Sequence, residues 1–246
     1  MSNTLQQVIN FPDCLQRHRQ LLITSNDMNN STFVLTNLLQ GLARNSMFRS
    51  DGRAWFVLLG QSYLNFSCVQ MKCGLNLKPF RDSGSLQFWE VLTTFGELCD
   101  RGRLSFDRFV RIFYDEFEVK FANRNSSTTS ILVIDDLSAL LSLGVSLVDM
   151  NTFIQKLRIR CAAHNVKLLI QSYQDDDQED EQLARLLSLL KASSSLWMHV
   201  SKMETGYSKS LDGSLTITDQ LANQQKRFLF KCTERTARLQ TPGFIA

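Results

Sequence analysis

Ile131-Leu132-Val133-Ile134-Asp135-Asp136 runs four aliphatic side chains straight into two carboxylates. An unbroken apolar run of this kind suits a central parallel strand covered on both faces; a strand with one wet face would alternate. Helical patterns flank it. Upstream, between Leu104 and Phe121, Phe106, Phe109, Phe113 and Phe117 recur every three or four residues. That is one apolar stripe of an amphipathic helix. Downstream, Leu147, Met150, Ile154, Leu157 and Cys161 mark another helix, and Val166 to Ile170 another buried strand.

The same alternation fills the rest of the chain. Leu21 to Thr24 and Trp55 to Leu59 read as strands, the second closed by Gly60. Phe33, Val34, Leu38, Leu39 and Leu42 stand at helical spacing after the first. A helix over Tyr63 to Lys72 ends at Gly74, which suits a C-cap. Leu86 to Trp89 is a third short strand, with a helix starting near Glu90. Leu183, Leu186, Leu187 and Leu190 give a late helix. Leu196–Val200, Ser214–Thr218 and Phe228–Cys232 close the chain as strands, with Gly213 at a hairpin turn before the second. Asn123 to Ser130 holds only Asn, Arg, Ser and Thr and reads as a mobile segment. Trp89 and Trp197 fall inside strands and read as core.

This order predicts an α/β fold: a mainly parallel central sheet flanked by helices, with antiparallel C-terminal strands. Residues 20–235 form one domain, 1–19 an N-terminal extension or first helix, and 236–246 a C-terminal tail. In such sheets ligands bind beyond the carboxyl ends of the strands. The ends after Thr24 and after Ile134 are the ones to test.

Composition excludes several classes. The chain has 11 glycines and three prolines in 246 residues, well below the usual ~7% and ~5%. So few turn formers argue against an all-β sandwich or barrel. Net charge is +3, too small to identify a nucleic-acid binder. Six acids crowd between Asp175 and Glu181; without them the chain would carry +9. Such a run reads first as a solvated loop and second as a gating or partner-contacting one. No Cys-x-x-Cys pair occurs among the six cysteines, and the three histidines are far apart, so no metal site is expected. No apolar run approaches the ~18 residues of a membrane span. The first residues have no signal-peptide pattern. A reducing cytoplasmic or nuclear location is expected.

A P-loop needs Gly-x-x-x-x-Gly-Lys-Ser/Thr between the first strand and the first helix. Its glycines let backbone N–H groups close round the phosphates, and its lysine neutralises their charge. Laid on that motif, Ser25 and Asn30 take the glycine places, Ser31 the lysine place and Thr32 the hydroxyl place. Asp27 adds a repelling charge, the first glycine of the chain is Gly41, and the first lysine is Lys72. No phosphate cradle of this type is expected, and no cofactor. Asp135 and Asp136 do look like a Walker B carboxylate. Their simpler reading is that Asp136 caps a following helix, since Asp satisfies free N–H groups there. Gly60-Gln61-Ser62-Tyr63 lacks the second glycine of a nucleophile elbow. Cys161 and His164, three apart on a helix, read as packing and solvent-facing rather than as a catalytic pair.

Four segments carry a resemblance. Trp55 to Tyr63 with Gly74-Leu75, and Ile131 to Gly144 (ILVIDDLSALLSLG), are similar to the second strand and the central strand of the sixth-subunit family of the Elongator complex. The acidic run before a leucine-rich helix resembles the family too, as does Glu204-Thr205-Gly206-Tyr207-Ser208-Lys209 leading into Asp212-Gly213. The resemblance spans roughly residues 20 to 235 and is most specific over Asp135 to Gly144 (DDLS-x-LLSLG). It implies a RecA-like ATPase fold without its own P-loop. It also implies a hetero-hexameric ring with the fourth and fifth subunits, two copies of each. That ring docks on the catalytic Elongator subcomplex, binds tRNA and supports modification of wobble uridine (U34). No catalytic residue carries over.

If tRNA binds, Arg124, Lys202 and Lys209 are the residues expected to meet its phosphates. Their plain alternative is ordinary surface charge. Two other functions stay open. One is a recombinase-like paralogue that binds single-stranded DNA. The other is a degenerate nucleotidase completed by a neighbouring subunit.

Overall fold

The computed structural model describes residues 3–26, 31–44, 52–100, 103–121, 130–174, 180–203, 210–233 and 237–241. The first strand, β1 (Gln20–Ser25), leads into helix α1 (Thr32–Arg44). Then follow β2 (Ala54–Leu58), α2 (Tyr63–Lys72) and β3 (Leu86–Glu90). The long helix α3 (Phe106–Phe121) precedes the central strand β4 (Ser130–Asp135). After it come α4 (Leu147–Ala163), β5 (Val166–Tyr173), α5 (Glu181–Ser193) and β6 (Leu196–Lys202). The chain closes with β7 (Gly213–Asp219), β8 (Gln224–Cys232) and β9 (Ala237–Gln240).

One sheet holds all nine strands. Its parallel part runs β3-β2-β4-β5-β1-β6. β7, β8 and β9 extend it antiparallel beyond β6, and Asn3–Thr4 pairs with β9 at that edge. The α/β expectation, mainly parallel with antiparallel strands at the end, is what the sheet shows. Every residue of β4 is buried, as an unbroken aliphatic run requires.

Side chains alternate along β4 and so feed two cores. Ile131 and Val133 join the side packed by α1 and by Phe66 of α2. Leu132 and Ile134 join the side packed by α3, α4 and α5. On α3, Phe109, Phe113, Phe117 and Phe121 are buried, while Phe106 is half-buried against them. Their rings meet Trp55, Trp89 and Phe153, with centroids 5.1 Å apart for Trp55–Phe113 and 5.0 Å for Phe113–Phe153. Aromatic pairs at these separations add to the area they bury.

Several expectations need correction. Gly213 makes no hairpin turn: it is a strand residue paired with both Lys202 and Phe230. A Cβ there would overlap the Ser201 carbonyl oxygen and stand 2.8 Å from Phe230 Cε1, so close approach is what demands glycine. Ser130 is a buried strand residue, and 122–129 lie outside the described residues. The helix expected near Glu90 does begin there, as a 3₁₀ turn, Val91–Thr94, followed by a short α-helix, Phe95–Leu98.

The segments expected to be peripheral add to the core and the sheet. Leu5, Ile9, Phe11 and Leu15 are buried with α1. β9 carries buried Ala237 and Leu239 inside the segment expected as a tail. Two alternating apolar residues are too short a pattern to read as a strand without its partner β8.

Candidate functional site

The carboxyl ends of β1, β2, β4 and β5 surround a cleft of about 270 Å³. Ser25, Ser31 and Thr32 line one side, Gly60, Gln61 and Asn65 another, and Asp135, Asp136 and Tyr173 the floor. Ser25, Ser31 and Thr32 therefore face the same space as the Asp135-Asp136 pair, as the strand-end rule predicts. Asn30, assigned to a glycine place, lies outside the described residues.

Both carboxylates are engaged by the protein itself. Asp135 is 2% exposed and accepts a 2.6 Å hydrogen bond from Gln61 Nε2. Burial pushes its carboxyl up to about 6; the Gln61 bond opposes this and the Asp136 charge adds to it. Asp136 Oδ1 accepts from Ser138 N at 3.1 Å, Ser138 Oγ at 2.6 Å and Tyr173 N at 3.1 Å. Burial raises Asp136 as well, against those hydrogen bonds. The peptide between the two residues is cis. Asp136 thus holds the turn ahead of a short helix, Ala139–Ser142, and ties the end of β4 to the end of β5. The N-cap position of that helix is Ser138, without a side-chain cap bond, so in place of the expected helix cap Asp136 forms a turn ahead of the helix that also reaches a second strand.

Of the P-loop places, Thr32 is half-buried at the cleft wall. Ser25 and Ser31 are buried. Ser31 Oγ has no hydrogen-bond partner among the described residues. The Thr32 carbonyl accepts from Thr36 Oγ1 at 2.9 Å within α1. No lysine or arginine lines the cleft among the described residues, and two acids do. Among the described residues no group of three or more His, Cys, Asp or Glu side chains gathers at one point.

Gln61, Gln171 and Tyr173 were missed from sequence. Gln61 had a usable signal: it directly follows Gly60, just beyond the end of β2 and next to β4. Gln171 to Tyr173 were hidden because β5 runs three residues past the aliphatic run that announced it. Ser62 caps α2, accepting from Asn65 N at 3.2 Å. Gly74, at φ +80°, follows that helix as expected. Cys161 is buried and its thiol raised, while His164 Nε2 lies 3.3 Å from Glu118 Oε2, so the two form no pair. Asp180 explains part of the acidic run: its carboxylate accepts from Gln182 N and Leu183 N and caps α5. Residues 175–179 lie outside the described residues. Lys202 is exposed at the end of β6, where its N–H donates to Asn26 Oδ1. Arg124 and Lys209 fall outside the described residues.

Residues 4–234 match the family described as Elongation complex protein 6. The chain belongs to that family. It is 27% identical to Elongator complex protein 6 of Danio rerio, over 79% of this chain and 81% of that one. The Xenopus laevis protein of the same name is 28% identical over 73% of each chain, and the human one 28% over 69% of each. Among solved structures, a KaiC-like protein of Pyrococcus horikoshii superposes with a TM-score of 0.59. That match covers 90% of this chain and 89% of that one at 12% identity, which shows the shared RecA-like fold.

A RecA-like fold implies a nucleoside triphosphate at the cleft just described. In this Elongation complex protein 6 family member the residues present do not fit one. Two buried acids face the space, and no cation among the described residues offsets the charge of three phosphates.

Proposed function

We propose that this chain is a non-catalytic subunit of Elongator. It assembles with the fourth and fifth subunits into a hetero-hexameric RecA-like ring, two copies of each. The ring engages tRNA and the catalytic subcomplex and supports wobble-uridine modification. The observation that carries this reading is the charge of the cleft: Asp135 and Asp136 line it, and no lysine or arginine joins them among the described residues. A fold kept intact around an emptied site fits positioning better than chemistry.

A second feature supports assembly. Leu64, Cys68 and Met71 follow one another at i, i+4 and i+7 along α2, beside the cleft, and all three are exposed. An apolar stripe on a helix is normally covered, and a neighbouring subunit against α2 is the reading adopted. The six free thiols suit a reducing compartment, cytoplasm or nucleus.

Native mass spectrometry of the chain mixed with the fourth and fifth subunits tests the proposal. A 2:2:2 complex is expected, and Leu64→Glu with Met71→Glu should dissociate it. Three separate monomers at about micromolar concentration would refute the ring.

A further inference from the structure

A second cavity opens at the other end of the sheet, below the amino-terminal ends of β1 and β5. Its volume is about 390 Å³, and its walls include Arg19, Gln20, Arg158, Lys167 and Ser195. Three lining side chains are cations and none is an acid. Arg19 and Lys167 take part in no ion pair among the described residues. The Arg158 guanidinium donates to Gln155 Oε1 at 3.1 Å, a neutral partner on its own helix. Burial, and then the nearby Arg19 charge, lower the Lys167 ammonium. Like charges gathered round a hollow and left without a counter-charge are unfavourable until an anion arrives.

Gln20 adds a second, independent feature. It is 5% exposed, and its Nε2 donates to Ser193 Oγ at 2.9 Å and Ser194 Oγ at 3.3 Å. Both hydroxyls donate onward to the Leu190 carbonyl, so they can only accept from the amide. This network fixes which end of the amide is which. Gln20 Oε1 is left buried, with no donor among the described residues. A buried acceptor without a donor is a standing cost that a ligand hydroxyl or amine removes.

We propose that this cavity binds a small phosphorylated polyol of the sugar-phosphate class. Its phosphoryl group sits among Arg19, Arg158 and Lys167, and one hydroxyl donates to Gln20 Oε1 once the wall that now covers that oxygen opens. The volume lies in the small-molecule range of roughly 300–1,000 Å³, and a concave wall suits a compact ligand better than a nucleic-acid strand. The site is remote from the carboxyl-end cleft and does not depend on the ring.

The test titrates the 246-residue chain with ribose 5-phosphate, inorganic phosphate and ribose, by calorimetry and by NMR of the Gln20 side-chain amide. Ribose 5-phosphate is expected to saturate, bind about tenfold tighter than inorganic phosphate, and shift the Gln20 resonances. Arg19→Gln with Lys167→Gln should weaken it about a hundredfold, roughly tenfold for each charge-assisted contact. The melting temperature should hold, since neither side chain is in the core. Three results overturn the proposal. One is no saturation by ribose 5-phosphate at about 10 mM. Another is binding indifferent to both substitutions. The third is tRNA binding that the double variant abolishes while ribose 5-phosphate never binds, which makes the groove an RNA surface instead.

Discussion

Gln61 Nε2 donates to Asp135 Oδ2 at 2.6 Å, linking the residue after β2's terminal turn to the last residue of β4. The amide satisfies one carboxylate oxygen without supplying positive charge. Asp135 is therefore a buried acid that gives up its proton late, with a folded value of about 6 against an unfolded 3.8. Between those values the folded chain holds a proton that the unfolded chain has released. Stability therefore falls as pH rises from about 4 to about 6 and is level above. Asp135→Asn should flatten most of this slope and be more stable than the parent at pH 7.5 by about 1–3 kcal/mol. Asp136, raised in the same direction, leaves a residual slope. Urea unfolding at pH 4.5 and 7.5 checks it, and a parent without any slope contradicts it.

Asp136 is expected to behave differently. Its Oδ1 serves two backbone N–H groups and one hydroxyl, so Asp136→Ala strands buried donors at Ser138 and Tyr173. A loss of about 2–3 kcal/mol is expected. Asp136→Asn keeps an acceptor oxygen and should cost under about 1 kcal/mol. Equal losses from both would show that the charge, not the acceptor, holds the turn.

Gln70 points into the core from α2 with 0% exposure, and neither its Oε1 nor its Nε2 has a partner among the described residues. Gln70→Met keeps the length and removes both polar atoms. It should stabilise the chain by about 1–3 kcal/mol and raise the thermal midpoint. A lower midpoint would mean that the amide is satisfied in solution.

Gly213→Ala sets a methyl against backbone, at Ser201, and against the Phe230 ring. Neither can swing aside, because both lie in strands paired with β7. Destabilisation of about 3 kcal/mol is expected. Ser214→Ala, next along the same strand, should cost about 1 kcal/mol through its bond to Ser201 Oγ. Comparing the two separates close approach from general sensitivity of the strand.

Mg-ATP at about 1 mM should leave the melting temperature of the isolated chain unchanged, because a ligand stabilises only as far as it binds. In the assembled ring, Asp135→Asn and Asp136→Asn should leave ATP hydrolysis at the parent rate. A tenfold fall with either variant would give that carboxylate a catalytic part.

Local pattern carried much of this structure. The aliphatic run before Asp135 announced a strand buried on both faces, and the phenylalanine spacing announced α3. The helix expected over Tyr63 to Lys72, closed by Gly74, is α2 as observed, since caps and positive φ are local chemistry. What stayed hidden depends on distant partners. Gln61 meets Asp135 across 74 residues, β9 becomes a strand only beside β8, and Gly213 is explained by Ser201 rather than by a turn. In the cleft, the missing lysine and glycines were plain in the sequence, while the way the protein satisfies its own carboxylates was not.

The division of the core has an optical consequence. The three tryptophans, Trp55, Trp89 and Trp197, all pack on the α3–α5 side of the sheet. Intrinsic fluorescence is thus a one-sided gauge. It follows loosening of the aromatic half, where Trp55 stacks on Trp89 and Trp89 on Phe109, and is nearly blind to the half held by α1 and the buried residues Leu5 to Leu15. An emission spectrum that stays blue while amide exchange quickens on α1 would then report fraying of one half, and should not be read as an intact fold.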